Sequence, residues 1–139
     1  MKAGFEKEFT DIQIGLISLC LEAVSMNTDV VYAYAYIGEG SSMFNMFFER
    51  NGSIFPAYKL IQDSGLLSQA LKYGTHDLEK LRSICVEYET MCPVEMRMYY
   101  NCKTKKFTAD YTYETNDTAE FSPHDSFLEW RNEIASTKH

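Results

Sequence analysis

The chain has 139 residues, of which 45% are hydrophobic, and it carries a formal net charge of −7. This length matches one domain, so we assign residues 1–139 to a single domain that buries a core of its own. The negative charge argues against direct binding of nucleic acid. Because neither an apolar run of the roughly 20 residues that span a bilayer nor the layout of a signal peptide occurs, we expect a soluble cytoplasmic protein that binds no membrane.

The first predicted element is a helix. Apolar residues recur at three- and four-residue steps from Phe5 to Ala23, which is the spacing of one helical face. A period of two then begins, since Val31, Ala33 and Ala35 alternate with tyrosines. That alternation is typical of a strand with one small aliphatic face and one tyrosine face.

Two more strands are predicted after the tyrosine-bearing strand. The aromatic segment 41–50 follows a glycine-rich turn at 38–40 and predicts the second strand. The dipeptide Asn51-Gly52 predicts a tight hairpin turn, because both residue types tolerate a positive φ. We expect the third strand to be short and to run from Ser53 to Tyr58.

The middle of the chain predicts two helices. Apolar residues at 66–71 form one helical face, and we expect Gly74 to end that helix. Thr75 is then the candidate N-cap of a second helix. The apolar stripe of the second helix reaches Tyr88, and the helix is expected to end before Pro93, because the residue ahead of a proline disfavours helical geometry.

Two strands and a helix complete the predicted pattern. Residues 93–100 and 106–114 alternate apolar and polar side chains on either side of a lysine-rich turn. Ser122 is a good N-cap for the last helix, and Pro123 suits its first position. Trp130 lies among the apolar residues of that helix.

The predicted order of elements is therefore α-β-β-β-α-β-β-α. Short turns join consecutive strands, which favours a mainly antiparallel sheet of four or five strands. With helices on one face of that sheet, the fold class is α+β and the architecture a two-layer sandwich.

Residues with catalytic or metal-binding chemistry are few. His76 and His124 lie at predicted helix starts, where an ordinary solvated side chain is the simplest interpretation. No CxxC motif, zinc-spaced histidine pair or phosphate-binding glycine motif occurs. A disulfide between Cys92 and Cys102 is not expected in a reducing cytosol. We therefore expect no catalytic residues, no metal and no cofactor.

Acidic residues are concentrated near the end of the chain. Between residues 108 and 134 there are seven acids and a single base, Arg131. Such a segment forms an ordinary solvated surface or a docking face for a basic partner, where it speeds encounter and orients the complex. The candidate partner-binding residues are Asp110, Tyr113, Glu114, Asp117 and Glu120. Tyrosines alternate with the acids along the strand, so the two are expected on opposite faces, and core packing is an equally good interpretation for Tyr113.

Three segments of the sequence resemble a known family. The segments VVYAYAYIGEGSSMFNMFFERNG at 30–52 and KKFTADYTYE at 105–114 are similar to the strand patterns of the YezG/EsaG-type immunity (antitoxin) proteins of bacterial polymorphic and contact-dependent toxin systems. SPHDSFLEW at 122–130 resembles the serine-proline start of that family's closing helix. The chain departs from the pattern at Cys92-Pro93, where the family often has a tryptophan, and at 56–74, where little matches.

The resemblance implies a function that composition alone does not. Proteins of this family neutralise a cognate toxin, commonly a nuclease, by binding it. A nuclease groove is basic because it holds phosphates, so an acidic protein suits it electrostatically. The expected partner is therefore one basic toxin domain, bound one-to-one by a monomer without a cofactor.

Two other functions are compatible with the residues. A cytosolic secretion chaperone or adaptor is also small and acidic, and it acts as a dimer on an unfolded segment of its partner. An enzyme would have to use His124 or His76, and replacing that histidine with alanine would then abolish its activity.

Overall fold

The computed structural model describes residues 4–113 and 121–137. Five strands and four helices lie within these ranges. In chain order they are α1 (Phe5–Ala23), β1 (Val30–Ile37), β2 (Ser42–Arg50), β3 (Ser53–Pro56), α2 (Ala57–Leu60), α3 (Ser64–Glu87), β4 (Glu95–Asn101), β5 (Lys106–Thr112) and α4 (Pro123–Ser136). No helix in the described part of the chain combines the length and the apolar character needed to cross a membrane.

All five strands form one antiparallel sheet in the order β3-β2-β1-β4-β5. β1 lies at the centre, where Ala33 pairs with Met46 of β2 and with Met98 of β4. The α+β class and the antiparallel sheet predicted from the sequence are confirmed. The pairing of β1 with β4 joins distant parts of the chain, and it places β3 at one edge of the sheet and β5 at the other.

The hairpin between β2 and β3 has the predicted turn. Asn51 and Gly52 have φ values of 52° and 80°, and this pair of left-handed residues matches the twist of the two strands. The carboxylate of Asp29 accepts a hydrogen bond of 2.8 Å from the Asn51 backbone N–H, which ties the turn to the residue that precedes β1.

One face of the sheet lies under α1 and α3. Val31, Ala33 and Ala35 of β1 are fully buried there, and their small side chains leave room for the larger residues that surround them. The main core on this face includes Leu16, Ile17, Cys20, Phe44, Met46, Phe48, Leu78, Leu81, Met96 and Met98.

The opposite face carries the row of tyrosines and lies under α4. Tyr32 and Tyr34 are buried against Phe127 and Trp130 of α4 and against Phe47 of β2. The ring of Tyr32 stacks on that of Phe47 with centroids 4.5 Å apart. The aliphatic face of β1 is thus covered by α1 and α3. Its tyrosine face is covered by α4.

α3 is one continuous helix, so the predicted break at Gly74 is wrong. A glycine costs a helix about 1 kcal/mol relative to alanine, and packing outweighs that cost here. The ring of Phe44 lies against Gly74 so closely that a Cβ on that residue would be 2.2 Å from it. Thr75 is not an N-cap, because its hydroxyl donates to the Leu71 carbonyl within the helix at 2.8 Å. The N-cap is Asp63, whose carboxylate accepts from the first turn.

The third strand is shorter than predicted. β3 ends at Pro56, and the next residue, Ala57, begins the single helical turn α2. The predicted end at Tyr58 is therefore wrong by two residues. Ala57 is buried in the main core whereas Tyr58 is exposed, so the chain turns where a small apolar residue can point inward.

α4 begins as the sequence predicts. The Ser122 hydroxyl accepts a hydrogen bond of 3.2 Å from the backbone N–H of Asp125, and Pro123 is the first helical residue. Proline suits this position because its missing N–H would have no partner there. The cap fixes where α4 starts and so brings Phe127 and Trp130 onto the tyrosine face.

Candidate partner-binding surface

β5 is the edge strand that contains Asp110, one of the five residues predicted to bind a partner, and Tyr113 directly follows it. Within residues 4–113 and 121–137 it pairs with β4 alone, and six of its seven residues are exposed. Every second residue of β5 faces the α1 side of the sheet, and the others face the α4 side. The two rows have different chemistry.

The row on the α1 side is aromatic and exposed. Phe107 lies opposite Tyr100, and Tyr111 lies opposite Met96. The exposed fractions of Phe107, Tyr111 and Tyr113 are 37%, 39% and 44%. Large apolar side chains that stay this exposed along one strand are unusual for a surface that contacts only water.

α1 holds the aromatic row in position. The rings of Phe9 and Tyr111 meet edge to face with centroids 5.7 Å apart. The side-chain amide of Gln13, itself buried, donates a hydrogen bond of 2.8 Å to the Tyr111 hydroxyl. Tyr111 is therefore anchored at its polar tip while part of its ring remains open to solvent.

α1 also adds an apolar residue to this surface. Ile14 is 58% exposed and lines a groove of about 160 Å³ whose other residues include Ile17, Tyr100 and Phe107. We call Ile14, Phe107, Tyr111 and Tyr113 the β5 edge surface. None of the four is charged, and aromatic residues without charge are typical of the centre of a protein interface.

Tyr113 lies one residue beyond β5. Partial burial raises the pKa of its hydroxyl, and the nearby hydroxyl of Tyr111 and thiols of Cys85 and Cys92 add to the shift. These neighbours place Tyr113 on the side of the sheet that faces α1 and α3. The Cys92 thiol also interacts with that of Cys85, and all four cysteines are unbridged.

The other row of β5 is polar and faces the α4 side. Asp110 is exposed and lies opposite Arg97 of β4, and Thr108 and Thr112 flank it on the same face. α4 packs on β2 and β3 and reaches β4 through Ser126 and Trp130, but among the described residues Asp110 of β5 stays exposed. Asp110 is thus available to a partner, at the side of the edge strand away from the aromatic row.

The structure therefore separates two of the predicted partner-binding residues. Asp110 and Tyr113 lie on opposite faces of the sheet, as their alternation in the sequence predicts. A partner can reach both only by lying along the edge of the sheet rather than on one of its faces. The other three predicted residues, Glu114, Asp117 and Glu120, lie outside the described residues.

Sequence reasoning missed the contribution of α1. Gln13 and Ile14 are not on the apolar stripe that predicts this helix, so the helical pattern gives them no role. The available signal was Ile14 itself, an apolar residue next to a polar one and off the stripe. It could not identify the strand against which Ile14 lies.

A buried polar cluster lies beneath the start of α4. Glu95 of β4 accepts hydrogen bonds from the hydroxyls of Tyr34 and Ser126, the latter at 2.7 Å. Burial, followed by the bond to Glu95, raises the pKa of Tyr34. Arg97 donates to the Ser126 hydroxyl at 3.4 Å. Because every member has a partner inside the protein, the cluster fastens α4 to the sheet.

His76 and His124, the histidines in the described part of the chain, are exposed and lie on different helices. His124 lies in the first turn of α4, as predicted, whereas His76 lies within α3 and not at a helix start. The prediction for His76 is wrong because α3 is continuous through Gly74. Among the residues the structure describes, no group of three or more His, Cys, Asp or Glu side chains could hold a metal ion.

A second groove, of about 270 Å³, lies between α1 and α3. Leu66 and Tyr73 are exposed at its rim, and Glu22 contributes a charge. The helices that form it satisfy their own backbone hydrogen bonds, so this groove offers a partner side chains alone. The β5 edge surface offers side chains and strand backbone together.

The chain matches no protein-family model, and no curated protein is significantly similar to it in sequence.

Proposed function

We propose that the protein is an immunity protein that binds and neutralises a cognate bacterial toxin, a basic nuclease domain, through the edge formed by β5. The observation that carries the proposal is the exposed, uncharged and partly aromatic β5 edge surface on a chain of net charge −7. The resemblance of residues 30–52 and 105–114 to immunity proteins supports the same function.

The proposed mechanism is exclusion of the substrate. A nuclease groove presents lysine and arginine to phosphates, so the acidic protein is drawn toward it and oriented before contact. Inhibition that lasts requires an interface of about 1,600 Å² with a few well-packed anchors. Phe107, Tyr111 and Ile14 are the anchors, and Asp110 supplies charge beside them.

The proposal includes the setting in which the protein works. The protein acts in the cytoplasm of the cell that makes the toxin, as a monomer in a one-to-one complex, and it uses no cofactor and catalyses no reaction. A secretion chaperone is the second candidate, because an open strand edge also suits an extended segment of an unfolded protein. A chaperone of this kind is a stable homodimer, so the oligomeric state separates the two functions.

The first test is capture of the tagged protein with its partner from the native host, at low and at high salt. We expect one stoichiometric nuclease domain, with slower association at high salt. Expression of that domain alone should stop bacterial growth, and co-expression of this protein should restore it. Recovery of the protein only as a homodimer, or with the unfolded segment of a secreted protein, would contradict the proposal and favour the chaperone.

A matched pair of variants tests the surface. Asp110→Lys and Glu129→Lys each change the net charge by the same amount, and both residues are exposed. If β5 is the docking site, the first variant should lose protection against the nuclease and the second should keep it. Equal losses from both would mean that overall charge, and not β5, determines neutralisation.

A further inference from the structure

The unpaired backbone groups along β5 have no role within the described fold. In an antiparallel pair, alternate residues direct their N–H and C=O groups toward the neighbouring strand, and the remaining residues direct theirs away from it. β5 has β4 on one side only in the described ranges. Such an edge pairs readily with another strand unless the protein blocks it.

The other edge of the sheet is blocked. β3 has four residues, ends in Pro56, which lacks an N–H, and passes at once into α2. Short edge strands and edge prolines are the means by which proteins prevent unwanted pairing. β5 has seven residues and no proline, and its one lysine, Lys106, lies at the hairpin end. Within the described part of the chain, residues 107–112 therefore have no strand on their outer side.

The two side-chain rows of β5 define what a neighbouring strand would have to present. On the α1 side, Phe107 and Tyr111 are aromatic, and Phe107 shares a groove with Ile14, so a neighbouring strand would have to present apolar residues there. On the α4 side, Asp110 lies between Thr108 and Thr112 and calls for a polar strand face with a basic residue. Opposite charges directly across from each other stabilise a strand pair, and like charges destabilise it.

The geometry points to strand addition: an extended segment of the basic toxin pairs with β5 as a sixth strand, with alternate apolar residues on the α1 side and a lysine or arginine opposite Asp110. One apolar side chain of that segment enters the groove of about 160 Å³ beside Ile14, which is about the size of a cavity that holds benzene. The inference rests on the proposed function for the basic character of the partner, which complements the net charge of −7.

The experiment is an amide NMR titration of the intact protein with two synthetic peptides. The first has about eight residues, the length of an ordinary strand, and alternates valine with threonine or arginine. The second has the same composition in an order without alternation. We expect the first peptide to shift and protect amides of residues 106–112 and to shift the Ile14 methyl groups, with no change at 53–56. The second should change neither region.

Two exposed positions give matched variants for this titration. Asp110→Lys should weaken binding of the arginine-containing peptide by about fivefold, because an attractive cross-strand pair becomes a repulsive one. Glu129→Lys, with the same change in net charge, should leave binding within about twofold of the parent, because a distant surface charge is screened. Ile14→Thr should weaken binding of the alternating peptide, because a valine of that peptide loses its apolar contact.

The results of the titration and of the capture experiment test strand addition and the immunity function separately. Absence of peptide-dependent shifts in β5, or shifts of equal size with both peptides, would overturn strand addition, even if a captured nuclease is neutralised. Specific shifts with no captured nuclease would keep the strand site and remove the toxin as its occupant. A free protein that sediments as a dimer with its β5 amides already protected would assign the edge to a second copy and contradict the inference.

Discussion

β1 and β5 each carry aromatic side chains along one face of the strand, yet the two aromatic rows have opposite surroundings. Tyr32 and Tyr34 of β1 are 3% and 0% exposed, because α4 places Phe127 and Trp130 over them. Phe107 and Tyr111 of β5 remain open at the edge of the sheet. An alternating pattern therefore specifies a strand with an aromatic face, and the position of the strand in the sheet decides whether that face is core or surface.

The difference follows from what lies beside each strand. β1 has a strand on both sides and a helix on both faces, so Tyr32 and Tyr34 at its centre are shielded from solvent. Among the described residues, β5 has one neighbouring strand, and α1 lies beside its aromatic row on one side. The buried row contributes stability, and the exposed row is available for recognition.

Removal of Trp130 should have the largest effect, because it makes the buried aromatic row of β1 resemble the exposed row of β5. Trp130→Ala removes the ring whose centroid lies 4.9 Å from that of Phe47 and 5.8 Å from that of Tyr32. The tyrosines of β1 then become exposed, like the aromatic residues of β5. We expect the free energy of unfolding to fall by about 3 to 5 kcal/mol, measured by urea denaturation. Tyr73→Ala, at an exposed aromatic residue of α3, should change it by about 0.5 kcal/mol. Equal losses would show that α4 does not cover the row.

A charge placed in the exposed row should affect binding and not folding. Phe107→Lys should weaken the complex with the captured nuclease by about 30-fold, which corresponds to about 2 kcal/mol for one interface anchor. Ser53→Lys adds the same charge at an exposed position of the β3 edge and should change affinity less than about threefold. Isothermal titration of both variants makes the comparison, and an equal effect at the two edges would contradict the assignment of β5.

The strands that carry the two aromatic rows could be predicted from the sequence. Which of the two rows is exposed could not. The period of two identified β1 and β5, the dipeptide Asn51-Gly52 identified the turn, and Ser122 with Pro123 identified the start of α4, because each signal depends on neighbouring residues. The position of β5 at an edge depends on the pairing of β1 with β4, which no local pattern contains. Gly74 shows the same limit, since its place inside α3 depends on Phe44 from a distant strand.

The residues of the candidate surface could also be predicted only in part. Asp110 and Tyr113 could be named from charge and composition, and their opposite orientation follows from alternation. The part played by Ile14 and Gln13 depends on where α1 crosses the sheet, and this crossing is a property of tertiary packing. Sequence reasoning therefore identified the strand of the proposed surface but not the helix that lies beside it.

The hydrogen bond that anchors Tyr111 offers a finer test of the exposed row. Tyr111→Phe leaves the buried amide of Gln13 without the hydroxyl oxygen that accepts its hydrogen bond, which should lower the free energy of unfolding by about 1 to 3 kcal/mol. The Tyr111→Phe/Gln13→Leu double variant should recover part of the loss, since both polar partners are then absent. If the double variant loses the sum of the two single effects, the hydrogen bond does not position Tyr111.

The smallest expected effect is the dependence of stability on the ionisation of the buried tyrosines Tyr32 and Tyr34. Burial raises the pKa values of Tyr32 and Tyr34, and in the unfolded chain both ionise near pH 10. Because the folded state holds these protons more tightly, the stability they contribute is present below about pH 10 and is lost as the pH rises above it. Denaturation at increasing pH, followed with the ultraviolet absorbance of tyrosinate, should show this decline. Ionisation of every tyrosine near pH 10 without loss of stability would contradict the burial of the row.

Hydrogen–deuterium exchange on the complex with the captured nuclease tests the central claim most directly. If the β5 edge binds the partner, exchange in residues 106–112 and around Ile14 should slow markedly in the complex, while exchange at 53–56 stays the same. A neutralised nuclease that protects α4 or the groove between α1 and α3, and leaves 106–112 unchanged, would contradict the account.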